Sequence, residues 1–294
     1  MLTIENNFFL SDDFRYLNEK IFGFKVIDIK INDSFFRIIC RNKKNSSKLR
    51  FIFSKSGLIS EFRGFFEIWG SQFSNEKELN LFLDILSKKI KTYNPGIIVF
   101  KNFFIPLNYK NSFNKILLDK KFEFKEWKTN ILELDNYENS NSGIFHKKIK
   151  KDIRKINEKK INVIKVDNFN DYKIFLKLFF SSDGHKNYPE QNNLLKKEAW
   201  EIFKKHHQLF IIKDKINYLG VFGIRIYKNL GALVMIGRNK YVKNSIHSFS
   251  INFLIEKLIK ENINFLDLTG FNPNPINSKE QGIKFFKERF KGNI

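Results

Sequence analysis

The sequence predicts an α/β (α+β) protein built from two similar units, each a sheet flanked by helices, and three observations lead there. Short β-type runs alternate with helical periodicities along the whole chain. A polar stretch rich in turn formers, Asn136-Tyr-Glu-Asn-Ser-Asn-Ser-Gly143, lies near the middle of the 294 residues. The order of elements before that stretch is taken up again after it, without a residue-by-residue repeat. The expected domains are therefore 1–140 and 141–294.

The first half opens with β-type runs at Phe24 to Ile31, Phe35 to Cys40, Leu49 to Phe53 and Phe65 to Trp69. A helix is predicted from Asn75 to about Tyr93, because Leu79, Phe82, Leu83 and Leu86 recur at the spacing of one helical face. Asn94-Pro95-Gly96 ends it. A buried strand at Ile97 to Phe100, a helix from about Asn108 to Asp119 and a strand between Phe122 and Leu134 complete this half.

The second half begins with a helix from about His146 to Lys160 and a strand at Ile161 to Val166. A helix at Asp171 to Phe180, the loop Ser181-Ser-Asp-Gly-His-Lys-Asn-Tyr-Pro189 and a helix from about Asn192 to Lys205 follow. Leu209 to Ile212, Tyr218 to Tyr227 and Ala232 to Ile236 read as consecutive antiparallel strands joined by connections short enough for hairpins. A helix from Ser245 to about Lys260 leads to a strand at Asn264 to Thr269. The last helix starts near Ser278, which with Gln281 has capping-box spacing.

Composition bounds the function classes. A hydrophobic fraction of 42% and an aromatic fraction of 16% belong to a globular chain. No run approaches the roughly 18 to 20 apolar residues that span a bilayer. The first ten residues lack the cationic start and apolar middle of a signal peptide. The single cysteine, Cys40, cannot form an internal disulfide and reads as a buried strand thiol, so a cytoplasmic location is expected. The net charge of +22 invites a nucleic-acid reading. Lys, Asn, Ile and Phe are abundant together, the bias of AT-rich codons, which discounts part of that charge. The excess is uneven, with 23 basic against 17 acidic residues up to Ser140 and 30 against 14 after it. No helix-turn-helix, zinc-finger or RNA-recognition signature accompanies it. Adjacent His206 and His207 point in different directions and make a poor metal pair, and no zinc or iron ligand cluster is present in the sequence.

Candidate chemistry concentrates at the end of the strand beginning at Ala232. The strand ends at Gly237, a loop follows, and a helix starts near Ser245. Backbone N–H groups at such a helix start, backed by the helix dipole, suit a pyrophosphate. Gly237, Arg238, Asn244, Ser245, Ile246 and His247 are the candidate donor-binding residues, with Lys240 and Lys243 adding charge. Asp267 lies mid-strand between apolar neighbours, a costly place for a carboxylate that is neither paired nor functional. His185, in the 181–189 loop, titrates in the range of a general base. In the basic segment from His146 to Lys160, Ile149, Ile153 and Ile156 form an apolar stripe that turns the lysines outward.

Three segments carry a family resemblance. His146-Lys-Lys-Ile-Lys-Lys-Asp-Ile-Arg-Lys-Ile-Asn-Glu-Lys-Lys160 resembles the basic helix that opens the second domain of FemABX-type proteins, a branch of the GNAT superfamily. Phe265-Leu-Asp-Leu-Thr-Gly270 is similar to that family's strand ending in Asp-x-x-Gly. Gln281-Gly-Ile-Lys-Phe-Phe-Lys-Glu-Arg-Phe-Lys-Gly292 resembles its closing helix. The chain departs from the pattern at Lys291 and Ile161, where the family has glycine. Its 237–247 loop also lacks the glycine-rich Arg/Gln-x-x-Gly-x-Gly form. The first half fits the family's other GNAT-like domain by element order.

The resemblance implies two GNAT-like domains with mostly antiparallel sheets and a cleft between them, the second being the acyltransferase domain. It implies N-acyl transfer from an activated donor to an amine, which requires a neutral amine, a polarised carbonyl and a route for the proton. Lys287 then matches the family's Phe-Lys lysine and is expected to stabilise developing negative charge, with Asp267 and His185 as candidate proton acceptors. Asp183, Arg154 and Phe286 are the expected substrate contacts. The favoured reaction moves an acyl group from acyl-CoA, a donor substrate and not a prosthetic group, to the amine of a nucleotide-linked amino sugar. The alternative uses aminoacyl-tRNA and a peptidoglycan precursor, the basic surplus serving tRNA phosphates. A basic nucleic-acid-binding module is the non-enzyme alternative. A second copy of the chain is also considered as a partner, and no metal is expected.

Overall fold

The structure is a computed structural model and describes residues 8, 11–31, 34–42, 64–69, 76–93, 97–101, 110–119, 128–135, 147–158, 160–182, 191–227, 229–239 and 246–292. The chain divides into two compact units, Met1–Lys125 and Glu126–Ile294.

In the first unit, helix α1 (Asp12–Tyr16) is capped by the Ser11 side chain and runs on into a π-helical turn, Leu17–Ile21. Sequence reading did not mark this segment. The sheet has the order β1-β2-β3-β4, with β1 Lys25–Ile31, β2 Ser34–Asn42, β3 Gly64–Trp69 and β4 Ile97–Lys101. The first three strands pair antiparallel, whereas β3 and β4 are parallel and are joined through α2 (Glu76–Tyr93). Leu79, Phe82, Leu83 and Leu86 are all buried, as their spacing requires. Helix α3 (Lys110–Asp119) completes the unit. Arg37, opposite Asp28 across the hairpin, donates from Nε and Nη2 to its carboxylate at 2.7 and 3.1 Å and from Nη1 to the Ser11 carbonyl. This buried guanidinium thereby ties the start of α1 to the hairpin. The expected strand at Leu49 to Phe53 lies outside the described residues.

The second unit is a six-stranded sheet of order β5-β10-β9-β8-β7-β6. Its strands are β5 (Lys128–Glu133), β6 (Asn162–Lys165), β7 (Gln208–Lys213), β8 (Tyr218–Tyr227), β9 (Leu230–Arg238) and β10 (Phe265–Phe271). Its helices are α4 (Lys147–Asn157), α5 (Phe169–Ser181), α6 (Gln191–Leu194), α7 (Lys197–His206), α8 (Ile246–Lys260) and α9 (Ser278–Lys287). Only β9 and β10 are parallel, connected through α8; every other neighbour pair is antiparallel.

Three expectations change. The strand read at the end of the first half is β5, which pairs with β10 of the second sheet, so the division falls at Lys125/Glu126 and not at 140/141. Pairing across more than a hundred residues decides where that strand belongs, and local pattern cannot report it. The helix read from Asn192 to Lys205 is two helices, α6 and α7, broken at Leu195–Lys196. The cap of α9 is Asn277, whose side chain accepts from Glu280 N at 3.0 Å, one residue before the expected Ser278.

The sheet of this unit is covered on both faces. In β7, Leu209, Phe210, Ile211 and Ile212 are all buried although successive side chains point to opposite sides. Phe210 and Ile212 join one core with Ile149 and Ile153 of α4, Ile251, Leu254 and Leu258 of α8, and Leu132 of β5. The other face receives α5, whose end at Phe179 and Ser182 lies against Gly237 of β9; Ser182 Oγ is 3.1 Å from where a Cβ at that glycine would stand.

Candidate functional site

Strands β9 and β10 form a fork. Their parallel ladder consists of Phe265↔Leu230, Leu266↔Gly231 and Asp267↔Ala232, and there it ends although β9 continues to Arg238 and β10 to Phe271. Beyond Ala232 no strand among the described residues pairs with that edge of β9. On its other edge β9 carries a bulge, since Gly223 faces Met235 while Ile224 faces Leu233, leaving Val234 as the extra residue. The carboxyl ends of diverging parallel strands are where open α/β sheets form their binding crevices.

A second bulge lies on β10 just past the fork point. Asp267 pairs with Ile131 and Gly270 with Thr129, so Leu268 and Thr269 share one residue of β5, Asn130. Thr269 has φ +64°, a conformation that a β-branched residue rarely adopts. Strain of this kind costs on the order of 1–3 kcal/mol and persists only where the surroundings hold it. Three groups hold it here. Asp267 Oδ1 accepts from Thr269 N at 2.6 Å, an Asx-type closure. The same oxygen accepts a hydrogen bond from Thr129 Oγ1. Lys287, reaching in from α9, donates through Nζ to the carbonyls of Thr269 and Gly270, both at 2.9 Å, and to Thr269 Oγ1 at 3.2 Å.

Lys287 is buried, only 9% exposed. Desolvation lowers its pKa from 10.5 to about 8, and the nearby Asp267 carboxylate opposes part of that shift. The ammonium is therefore the main form at neutral pH, but it is held where water screens it poorly. A cation in such a place interacts strongly with charge that develops nearby.

Asn130 anchors the other end of Lys287. Its side chain is fully buried and donates from Nδ2 to the backbone carbonyls of Lys287 at 2.7 Å and Phe290 at 2.8 Å. Phe290 is buried and meets Phe286 edge-on at 5.3 Å; Phe286 in turn packs against the ring of His247 at 5.9 Å. The first turn of α8 and the end of α9 are thus in contact.

The predicted residues separate into groups. Asp267, Lys287, Phe286 and His247 are linked through β10, α9 and the start of α8. Gly237 is buried against α5, Arg238 is exposed at the end of β9, and Ile246 is a core side chain of 0% exposure. Arg154 lies on the exposed face of α4. Asp183, His185, Asn244 and Ser245 lie outside the described residues, as do Lys240 and Lys243. His207 is buried and accepts from Arg225 Nε at 3.2 Å. Burial first, and then that guanidinium, keep it well below its usual pKa, and so neutral. Sequence reasoning missed Thr129, Asn130 and Thr269. Among the described residues no group of three or more His, Cys, Asp or Glu side chains is placed to hold a metal ion. No helix among them is long and apolar enough to cross a membrane.

Solved structures with a similar fold exist. FemX superposes with a TM-score of 0.61 at 11% identity, covering 96% of this chain and 88% of its own. The fold of this chain is thus similar to that of FemX. The C-terminal domain (DUF2156) of a protein described as a lysylphosphatidylglycerol synthetase, from Agrobacterium fabrum, gives 0.57 at 10% identity over 96% of this chain and 84% of that one. A tandem GNAT protein from the clavulanic acid biosynthesis pathway gives 0.52 at 4% identity over 90% and 79%. No family model and no curated protein matches the sequence. Identities this low show a likeness of fold and nothing finer.

Proposed function

We propose that this protein is an N-acyltransferase that moves an aminoacyl group from aminoacyl-tRNA to the amine of a peptidoglycan precursor. Lys287 carries the reading: a desolvated ammonium, fixed on two carbonyls of a strained bulge, beside a fork open at the carboxyl ends of two parallel strands. Likeness to FemX and to a lysylphosphatidylglycerol synthetase over 96% of the chain supports an aminoacyl group as the cargo. The surplus of 30 basic over 14 acidic residues after Ser140 suits a polyphosphate donor.

In this mechanism the acceptor amine attacks the ester carbonyl carbon. A C–N bond forms, and the carbonyl oxygen gathers the negative charge that the Lys287 ammonium stabilises. Asp267 keeps Oδ1 on the bulge and takes the amine proton on Oδ2. The C–O bond to the tRNA ribose then breaks, and the departing ribose oxygen receives that proton. His185 remains a proposed alternative acceptor, Arg154 a proposed tRNA contact, and Asp183 and Phe286 proposed contacts of the acceptor. The first unit is proposed to be a companion GNAT-like domain.

A second reading keeps acyl-CoA as donor and a nucleotide-linked amino sugar as acceptor. The edge of β9 beyond Ala232, which no strand among the described residues pairs with, favours it, since an extended thioester chain can add to such an edge beside the start of α8. In this reading Gly237, Arg238 and residues 244–247 hold the donor's phosphates.

The experiment is a binding and transfer assay with radiolabelled aminoacyl-tRNA and, separately, acyl-CoA. Salt-sensitive tRNA binding with label passed to a soluble peptidoglycan precursor bearing a free amine supports the first reading. Retention of CoA with no tRNA affinity replaces it by the second.

A further inference from the structure

The closing segment from Lys287 to Gly292 turns back along β5, and its contacts there converge on Asn130. One amide nitrogen has two N–H groups, and here each meets a different carbonyl of the α9 terminus, Lys287 O and Phe290 O. Each of these carbonyls also accepts a backbone N–H of the closing turn, Lys287 O from Phe290 N at 3.1 Å and Phe290 O from Gly292 N at 3.0 Å, so the Asn130 amide adds a second donor that ties the turn to β5. The other side of the amide is different. Asn130 Oδ1 is buried and has no hydrogen-bond partner among the described residues. A buried orphan acceptor in a native site calls for an explanation.

Two features explain it. Gly292 packs directly on this oxygen: a Cβ there would run into Asn130 Oδ1 and stand 2.5 Å from Ile131 O. Asn130 is also the single β5 residue opposite the Leu268–Thr269 bulge, where Lys287 Nζ donates to the carbonyls of Thr269 and of the next residue, Gly270. An aspartate would set acceptors against two carbonyls, and a longer amide would overrun the space. The geometry points to Asn130 as a positioning residue for Lys287, with Gly292 as the small residue that lets the amide seat. Backbone and head group of the lysine are then fixed from adjacent strands, β5 through Asn130 and β10 through the bulge. Its bearing on catalysis rests on the acyl-transfer reading; its bearing on the lysine does not.

The test follows the Lys287 ε-carbon by NMR in protein labelled with [ε-13C]lysine, the signal being assigned by its loss in Lys287→Arg. Asn130→Leu keeps the side chain's size, adds no charge and removes both donors. Gly292→Ala keeps the donors and displaces the amide, and it decides the matter if the first variant does not fold. The expected result is a titration midpoint raised from about 8 by one pH unit or more, as the freed α9 terminus lets water reach the ammonium. In the transfer assay kcat falls tenfold or more with KM little changed. A folded variant in which Lys287 still titrates near 8 overturns the inference, even if its melting temperature has dropped. A shifted midpoint in a protein whose parent transfers nothing upholds the positioning role and removes the acyl-transfer reading.

Discussion

Helices α4 and α9 both carry lysines from segments that resemble the same family, and the structure uses them in opposite ways. On α4, Ile149, Ile153 and Ile156 are buried, while Lys147, Lys151 and Arg154 form an outward row at i, i+4 and i+7. On α9 the arrangement is inverted: Phe285 faces solvent at 60% exposure and Lys287 is buried. A count of basic residues treats these groups alike. Burial separates a cation screened by water from one whose charge is felt by a neighbouring atom.

The largest expected effect breaks the comparison on the α9 side. Lys287→Met should lower the transfer kcat by roughly 10²-fold, through loss of a poorly screened positive charge near the developing oxyanion, while leaving tRNA affinity unchanged. Single-turnover assays with circular dichroism as a folding control check this. Loss in binding alone would make Lys287 a donor contact.

The α4 side is broken from within. Ile149→Ala, at a fully buried site, should cost about 2–5 kcal/mol in urea denaturation. Lys151→Ala on the same helix should stay within about 0.5 kcal/mol. Equal costs would mean that the outward face is not a solvated one.

The titration of Lys287 gives a smaller effect with a definite sign. Its pKa falls from 10.5 in the unfolded chain to about 8 in the folded one, so between these values the unfolded state holds more protons. Stability should therefore rise with pH from about 8 to 10.5, by at most about 3 kcal/mol, and this rise should vanish in Lys287→Met. Denaturation midpoints at pH 7.5 and 10.5 compare the two proteins. The smallest effect concerns the outward row. Replacing Lys147, Lys151 and Arg154 together by alanine should flatten the log–log salt slope of tRNA binding by about 2 to 3, with kcat at saturating donor unchanged. An unaltered slope would place the phosphates elsewhere.

Much of the second unit was legible because its signals are local. The bounds of β8 and the stripe of α4 follow from spacing and from residues that stand together in the chain, whereas Asp267 stood out as a mid-strand carboxylate and Lys287 through the family resemblance. The supports of that pair were not legible. Thr129 and Asn130 lie more than 130 residues from their partners and read as ordinary polar positions of a half-exposed strand. Their roles depend on β5 pairing with β10, the same long-range pairing that moved the domain division. Thr269 gave no signal because a left-handed φ at threonine runs against its own preference and is imposed by Asp267 and Lys287. The offset cap at Asn277 is a one-residue ambiguity among neighbouring good cappers.

In the proposed mechanism the charged form of Lys287 stabilises the transition state of acyl transfer. Measuring the single-turnover transfer rate across pH 6.5 to 10, in the same samples in which the Lys287 ε-carbon is titrated by NMR, tests it most directly. The rate should fall as the ammonium is lost, with both midpoints near 8. A rate that stays level or rises through that midpoint would contradict it.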